Sequence, residues 1–207
     1  VAEADVEADA VGVDGDADEE EVVAVAGDAL DVGVAGGVVG EFVDADVAGA
    51  VEGAEGVVGA ELTEQAGLEA GGALEDAVAR MRSPPVLVAH SLGCCTVAHW
   101  AGSTRLRARG ALLVAPSDVE APSYPAGTTG FAPLPLLRLP FPAIVVASDD
   151  DVYVTPARAA AFARAWGARL VGIGAAGHVN SASRLGSWLE GQRLLEELLA
   201  PRSSSEG

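Results

Sequence analysis

The sequence predicts an α/β fold in which a parallel sheet is flanked by helices. Short apolar runs alternate with helix-like segments from about residue 74 onward. Such runs are typical of parallel strands that are buried on both faces. Polar residues with catalytic potential follow three of the runs, and active sites in such sheets lie at the carboxyl ends of the strands.

The elements follow one another in a regular order. A helical pattern over residues 74–81 is stopped by the prolines at 84 and 85, because proline interrupts a helix. The run at 86–89 predicts the first buried strand, and residues 92–101 predict a helix. A second strand is expected at 111–115.

The second half continues the alternation. A proline-rich loop at 116–142 precedes a third strand at 143–148. Pro156 opens a helix that reaches Trp166, with Thr155 as its N-cap. A fourth strand at 170–174 and an amphipathic helix at about 188–199 complete the domain, and residues 201–207 are expected to be a disordered tail.

Residues 1–73 have a different composition from the rest of the chain. Val, Ala, Asp, Glu and Gly make up 67 of these 73 residues. A disordered acidic extension is one interpretation, although the run at 22–26 is strongly apolar. A folded segment is another, although these residues lack aromatic packing, turn prolines and an N-cap serine, and their periodicity is weak. The third, which we favour, is translation in a wrong frame or on the wrong strand, because codons for these five residues all begin with G.

Charge and cysteine content limit the possible partners. The net charge of −19 argues against nucleic acid and anionic membranes as partners. The charge is unevenly distributed, because residues 1–79 contain 22 acidic residues and no Lys or Arg. The two cysteines, Cys94 and Cys95, are adjacent and predict neither a disulfide framework nor a zinc site. We therefore expect a cytoplasmic protein without metal or cofactor, and the acidic start does not resemble a secretory signal.

The segment from Ala89 to Gly93 has the strand–turn–helix setting of a nucleophile elbow. Ala89 stands where the G-x-S-x-G pattern has its first glycine, and a small side chain meets the same steric need. The turn would present the Ser91 hydroxyl, and the Leu92 N–H could face a developing oxyanion. A serine that merely caps a helix is the alternative.

Two further groups follow later strands. Asp149, Asp150 and Asp151 come after the third strand, and His178 lies in a small-residue loop after the fourth. Taken singly, they could be a solvated acidic turn and a surface histidine. Together, the order Ser, Asp, His, each after its own strand, predicts a catalytic triad.

These motifs resemble the YdeN-like, retinoblastoma-binding-protein-9-like serine hydrolases of the α/β-hydrolase superfamily. The similarity spans about residues 74–200. The matching stretches are residues 86–94, 110–116 with 118–120, 139–142, 145–148, 151 with 153, 176–180, and 185–188 with 191. The resemblance implies that Ser91 is the nucleophile, His178 the base and Asp151 the acid, with Asp149 and Asp150 as weaker candidates for the acid.

The resemblance also implies a missing front end. The family begins with a buried strand and a glycine-containing loop that gives the second oxyanion donor, and nothing in residues 1–73 resembles them. We therefore expect the strand at 86–89 to lack a neighbour on one side, which would expose a hydrophobic sheet edge.

The expected function is hydrolysis of a small ester, thioester or amide. His90 beside the nucleophile and Phe131 in the proline-rich loop are candidate substrate-binding residues. A regular elbow would turn His90 away from its reactive face. A noncatalytic protein-binding module and an inactive mis-specified gene product are the alternatives.

Overall fold

A computed structural model of the chain describes residues 21–25, 32–36, 66–125 and 130–201. Within these ranges it contains a six-stranded sheet whose strand order is β2-β1-β3-β4-β5-β6. The strands are β1 (Glu21–Val25), β2 (Val32–Gly36), β3 (Val86–His90), β4 (Gly110–Val114), β5 (Ala143–Ala147) and β6 (Arg169–Gly172). The helices are α1 (Ala66–Ala79), α2 (Leu92–Ser103), α3 (Pro156–Trp166) and α4 (Leu189–Leu199), with a short 3₁₀ turn at Ser181–Ser183.

The predicted parallel sheet is confirmed. β1, β3, β4, β5 and β6 run parallel to one another, and β2 pairs antiparallel with the outer side of β1. The prediction for α3 is also confirmed, since the helix spans Pro156–Trp166. The Thr155 side chain caps its start by accepting a hydrogen bond from the Arg158 N–H. No helix in the described part of the chain is long and apolar enough to cross a bilayer.

Alternate residues of the central strands divide the core into two clusters, as the two-residue period of a strand requires. Leu87 of β3 and Leu113 of β4 pack on the face that α1, α2 and α3 cover. Val88 of β3 and Leu112 of β4 pack on the opposite face with Leu195 of α4. Helices thus cover both faces, which accounts for the uniformly apolar strands.

The expectation that β3 lacks a neighbour on its outer side is wrong. β1 pairs with β3 over four registered positions, from Val22 opposite Val86 to Val25 opposite Ala89. Val23 and Val25 are 0 % and 1 % exposed. The valine-rich run forms a buried strand because it meets the apolar edge of β3, a contact that local composition does not reveal.

The boundary expected at residue 74 also needs correction, because α1 begins at Ala66 and runs through it. The Glu75 carboxylate on α1 accepts hydrogen bonds from the Trp100 indole and the Thr104 hydroxyl, both at 2.6 Å. The expectations for residues 1–20, 26–31, 37–65 and 202–207 lie outside the described residues.

Candidate active site

Ser91 occupies a sharp turn between a strand and a helix. β3 ends at His90 and α2 begins at Leu92, so Ser91 alone makes the connection. Its dihedral angles are φ 56° and ψ −122°, a conformation that costs a non-glycine residue about 1–3 kcal/mol. The Ser91 N–H donates to the Val114 carbonyl of β4 at 3.0 Å, which holds the turn in place.

The three residues expected at the strand ends form one hydrogen-bonded chain. Ser91 Oγ lies 2.8 Å from His178 Nε2. On the other side of the ring, His178 Nδ1 lies 3.0 and 2.9 Å from the two carboxylate oxygens of Asp151. The His178 and Asp151 side chains are 6 % and 0 % exposed, so water barely competes for these bonds. With Nδ1–H donating to Asp151, Nε2 can accept the Ser91 proton.

Asp151 is oriented by its own loop. The Tyr153 N–H donates to Asp151 Oδ1 at 2.8 Å, and the Tyr153 carbonyl accepts from the Asp118 N–H at 3.0 Å. Asp118 in turn forms an ion pair of 3.1 Å with Arg158 of α3. The Tyr153 ring meets the His178 ring edge to face at a centroid distance of 4.6 Å. The Asp151 carboxylate that contacts His178 is therefore held in place by the main chain of its own loop.

Asp150 links the loop of Asp151 to the loop of His178. Its Oδ1 accepts from the Ser148 hydroxyl at 2.8 Å and from the Gly177 N–H at 2.7 Å. The Ser148 hydroxyl also accepts from the Ala176 N–H at 2.9 Å. The Ser148 hydrogen bond, followed by that of Gly177, lowers the pKa of Asp150. Asp150 thus contacts the backbone beside the histidine, and Asp151 is the carboxylate that reaches its ring.

His90, a candidate substrate-binding residue, contacts the loop that carries His178. It is 5 % exposed, and its Nε2–H donates to the His178 carbonyl at 2.8 Å. The two imidazole rings pack at a centroid distance of 4.8 Å. His90, the last residue of β3, thus supports the main chain of the His178 loop.

Phe131 is likewise buried. It is 1 % exposed and belongs to the larger core cluster rather than to an open pocket wall. Its carbonyl accepts a hydrogen bond of 2.8 Å from His99 Nε2 of α2. Its place in a proline-rich loop predicts a pocket residue, but in the structure Phe131 anchors that loop to α2.

Ser117 was not singled out by the sequence analysis. Its hydroxyl oxygen lies 3.0 Å from Ser91 Oγ, and the residue is completely buried. Ser117 follows β4 by three residues, at the same edge of the sheet as the other three groups. The rule that located Asp151 and His178, a polar residue just after a strand, would also have found Ser117.

Leu92 provides a main-chain donor at the turn. It is the first residue of α2, so its N–H has no acceptor within the helix. The positive end of the α2 dipole adds to the field at this point. The arrangement places a hydroxyl, an imidazole with a defined tautomer and a backbone donor together, the combination used in acyl transfer.

The two cysteines are buried free thiols. The Cys94 S–H reaches the Ala89 and Val114 carbonyls at 3.4 Å each. Burial raises the pKa of Cys94 well above its ordinary value and that of Cys95 to about 12. Both thiols therefore stay protonated near neutral pH. Within the described ranges, no three His, Cys, Asp or Glu side chains come together as a metal site.

A cavity of about 830 Å³ lies at the other end of the sheet. Its walls include Pro84 before β3, Arg109 before β4 and Phe141 before β5. These positions mark the amino ends of the parallel strands, whereas Ser91, Asp151 and His178 all follow carboxyl ends. The cavity is therefore separate from the hydrogen-bonded chain.

Comparison with known proteins identifies the family. The serine hydrolase family model matches residues 64–197, well over half of the chain. The chain belongs to the serine hydrolase family. The match begins close to the start of α1, in agreement with the corrected boundary.

Among solved structures, this serine hydrolase is similar to YdeN-like hydrolases. A YdeN-like hydrolase from Pectobacterium atrosepticum is 26 % identical, with a TM-score of 0.56 over 69 % of this chain and 72 % of the other. The ydeN gene product of B. subtilis is 20 % identical, with a TM-score of 0.56 over 65 % and 76 %. A Paleococcus ferrophilus monoacylglycerol lipase is 13 % identical, with a TM-score of 0.53 over 64 % and 75 %. No curated protein matches the sequence significantly. The predicted α/β-hydrolase fold and hydrolase activity are confirmed.

Proposed function

We propose that this hydrolase cleaves small esters, thioesters or amides through a catalytic triad of Ser91, His178 and Asp151. The observation that carries the proposal is the continuous chain of hydrogen bonds from Ser91 Oγ through both His178 nitrogens to Asp151. A serine that merely caps α2 would bond to the helix, and the Ser91 side chain makes no such bond.

In the first half of the reaction, Ser91 Oγ attacks the substrate carbonyl carbon while His178 Nε2 takes the hydroxyl proton. Asp151 keeps the tautomer in which Nδ1 carries a hydrogen, and it stabilises the imidazolium that forms. The Leu92 N–H donates to the carbonyl oxygen as it becomes an oxyanion. The imidazolium then protonates the departing alcohol, thiol or amine.

In the second half, water releases the acyl group. His178 Nε2 takes a proton from the water as it attacks the acyl carbon, and the same proton returns to Ser91 Oγ when the tetrahedral intermediate collapses. Residues 26–31, directly after β1, where the family resemblance places the second oxyanion donor, lie outside the described residues.

Small substrates are favoured by the burial of the site. Ser91 and His178 are 5 % and 7 % exposed, and Tyr153 packs directly against the His178 ring. This low exposure is the observation that supports a small substrate in the proposal. No metal or cofactor takes part in the proposed steps.

The test is covalent labelling with a fluorophosphonate probe, which reacts with activated serines. The wild-type protein should label at Ser91, and Ser91→Ala should neither label nor retain more than about 10⁻⁴ of its activity on a p-nitrophenyl ester. Ser103→Ala is the matched control, because the Ser103 hydroxyl bonds only within the end of α2. Labelling at another serine, or unchanged hydrolysis by Ser91→Ala, would overturn the proposal.

A further inference from the structure

Ser91 has a second polar neighbour besides His178. Ser117 Oγ lies 3.0 Å from Ser91 Oγ, and Ser117 is 0 % exposed. It is therefore a buried hydroxyl in direct contact with the atom that would attack the substrate. The proposed triad assigns it no role.

Hydrogen bonds on both sides fix the main chain of Ser117. Its N–H donates to the Ser91 carbonyl at 3.4 Å, and its carbonyl accepts the Cys95 S–H at 3.5 Å. Both partners belong to the start of α2 or to the turn before it. Ala115, with φ 48°, turns the chain out of β4 toward this position. The Ser117 hydroxyl therefore keeps its place beside Ser91 Oγ.

The direction of the hydroxyl contact follows from counting hydrogens. Ser91 Oγ carries one hydrogen and two lone pairs. His178 Nε2, 2.8 Å away, accepts that hydrogen because Asp151 holds the other ring nitrogen in its protonated form. The contact between the two serines must then use the Ser117 hydrogen, with Ser91 Oγ as the acceptor.

We infer that Ser117 is a further catalytic residue, whose hydroxyl donates to Ser91 Oγ and stabilises the negative charge that develops there. The inference rests on the proposed triad. As the proton moves from Ser91 to His178, the acceptor becomes more anionic and the hydrogen bond to it strengthens. Ser117 keeps its own proton throughout, and no covalent bond to Ser117 forms or breaks.

The same bond acts in the reverse sense during deacylation. In the acyl-enzyme, Ser91 Oγ is an ester oxygen and a weak acceptor. When the second tetrahedral intermediate collapses, Oγ leaves the acyl carbon with its electron pair, and the Ser117 hydroxyl stabilises it until His178 returns the proton. Removal of Ser117 should therefore slow both half-reactions without weakening substrate binding.

The experiment compares the rate of fluorophosphonate labelling and the kcat and KM of a p-nitrophenyl ester in wild type and Ser117→Ala. Hydrogen bonds to charged groups predict a fall in the labelling rate and in kcat of about 10- to 100-fold. KM should stay within about twofold, and Ser103→Ala should match the wild type in every measurement. A purely structural role would lower Tm and leave the labelling rate of the folded fraction unchanged.

A second variant covers the case in which Ser117→Ala fails to fold. Ser117→Cys keeps nearly the same volume but carries a weak donor, so the labelling rate should again fall about tenfold or more. Wild-type labelling rates in either folded variant would overturn the role of Ser117 and leave the triad intact. Absence of labelling at Ser91 in the wild type would overturn both proposals.

Discussion

The backbone carbonyl of Val25 lies directly against Gly93, in the space that a Cβ on residue 93 would occupy. Val25 ends β1, and Gly93 is the second residue of α2, two positions after Ser91. Any side chain at 93 would push the end of β1 away from the turn at Ser91. The small residue that the elbow motif requires is thus explained by a strand from the acidic segment, which ties that segment to the site.

Asp151→Asn should lower kcat by about 10³- to 10⁴-fold, because an amide that offers its N–H to Nδ1 favours the wrong tautomer of His178. The measurement is steady-state hydrolysis of a p-nitrophenyl ester. Asp149→Asn is the matched control, since Asp149 uses its backbone N–H, which donates to the Gly174 carbonyl. A larger loss at Asp149 than at Asp151 would contradict the assignment.

Asp150→Ala should lower kcat by about 10- to 100-fold through a displaced His178, even though Asp150 does not touch the ring. The sequence analysis offers Asp150 only as a weaker candidate for the acid, but its carboxylate accepts a hydrogen bond from the Gly177 N–H, directly before the histidine. KM should change little. Asp149→Ala is again the control, and activity equal to wild type in Asp150→Ala would show that the loop holds its shape unaided.

The stability that the Asp150 carboxylate contributes by joining the two loops should persist to a pH below the ordinary aspartate pKa. Because the pKa of Asp150 is lowered, its contribution to stability is fully present above the ordinary aspartate pKa and is lost only as the pH falls through the lowered value. Acid unfolding of wild type and Asp150→Asn, followed by circular dichroism, measures the pH dependence of this contribution. The stabilities of the two proteins should converge at the lowest pH. A difference in stability that grows as the pH falls would contradict the lowered pKa.

Val23→Asp should destabilise the fold by about 3 kcal/mol or more, because it places a carboxylate at a fully buried position of β1. Chemical denaturation monitored by tryptophan fluorescence gives the free energy of unfolding. Leu137→Asp is the control, since Leu137 is 67 % exposed. Equal stability of the two variants would mean that β1 contributes nothing to the sheet.

Cys94 and Cys95 should resist alkylation by iodoacetamide at pH 8 in the folded protein and react rapidly in urea, because burial keeps both thiols protonated. Mass spectrometry counts the modified thiols, and fast labelling of the native chain would contradict their burial.

The free energy of unfolding should fall as the pH rises above the ordinary thiol pKa of 9.0, because the thiols of the unfolded chain ionise there, while folded Cys95 keeps its proton up to a pKa of about 12.

Local sequence pattern is enough to predict several parts of this protein. The uniformly apolar runs at β3, β4 and β5 identify strands buried on both faces, because helices must cover both sides of such a sheet. Thr155 and Pro156 mark the start of α3, since capping uses only neighbouring residues. Ser91, Asp151 and His178 each follow a parallel strand, and this position predicts that they lie at one edge of the sheet, because parallel strands end at the same side.

Other features depend on contacts between distant segments of the chain, so local pattern does not predict them. β1 is a strand because β3 offers it a buried edge, and its own composition is ambiguous. The hydrogen bonds of His90 and of the Phe131 carbonyl are made with His178 and His99, which come from other parts of the chain. Asp150 and Ser117 gain their positions beside His178 and Ser91 in the same way. Sequence periodicity predicts which residues face the core. A hydrogen bond between distant residues instead depends on where the folded backbone places the donor and the acceptor.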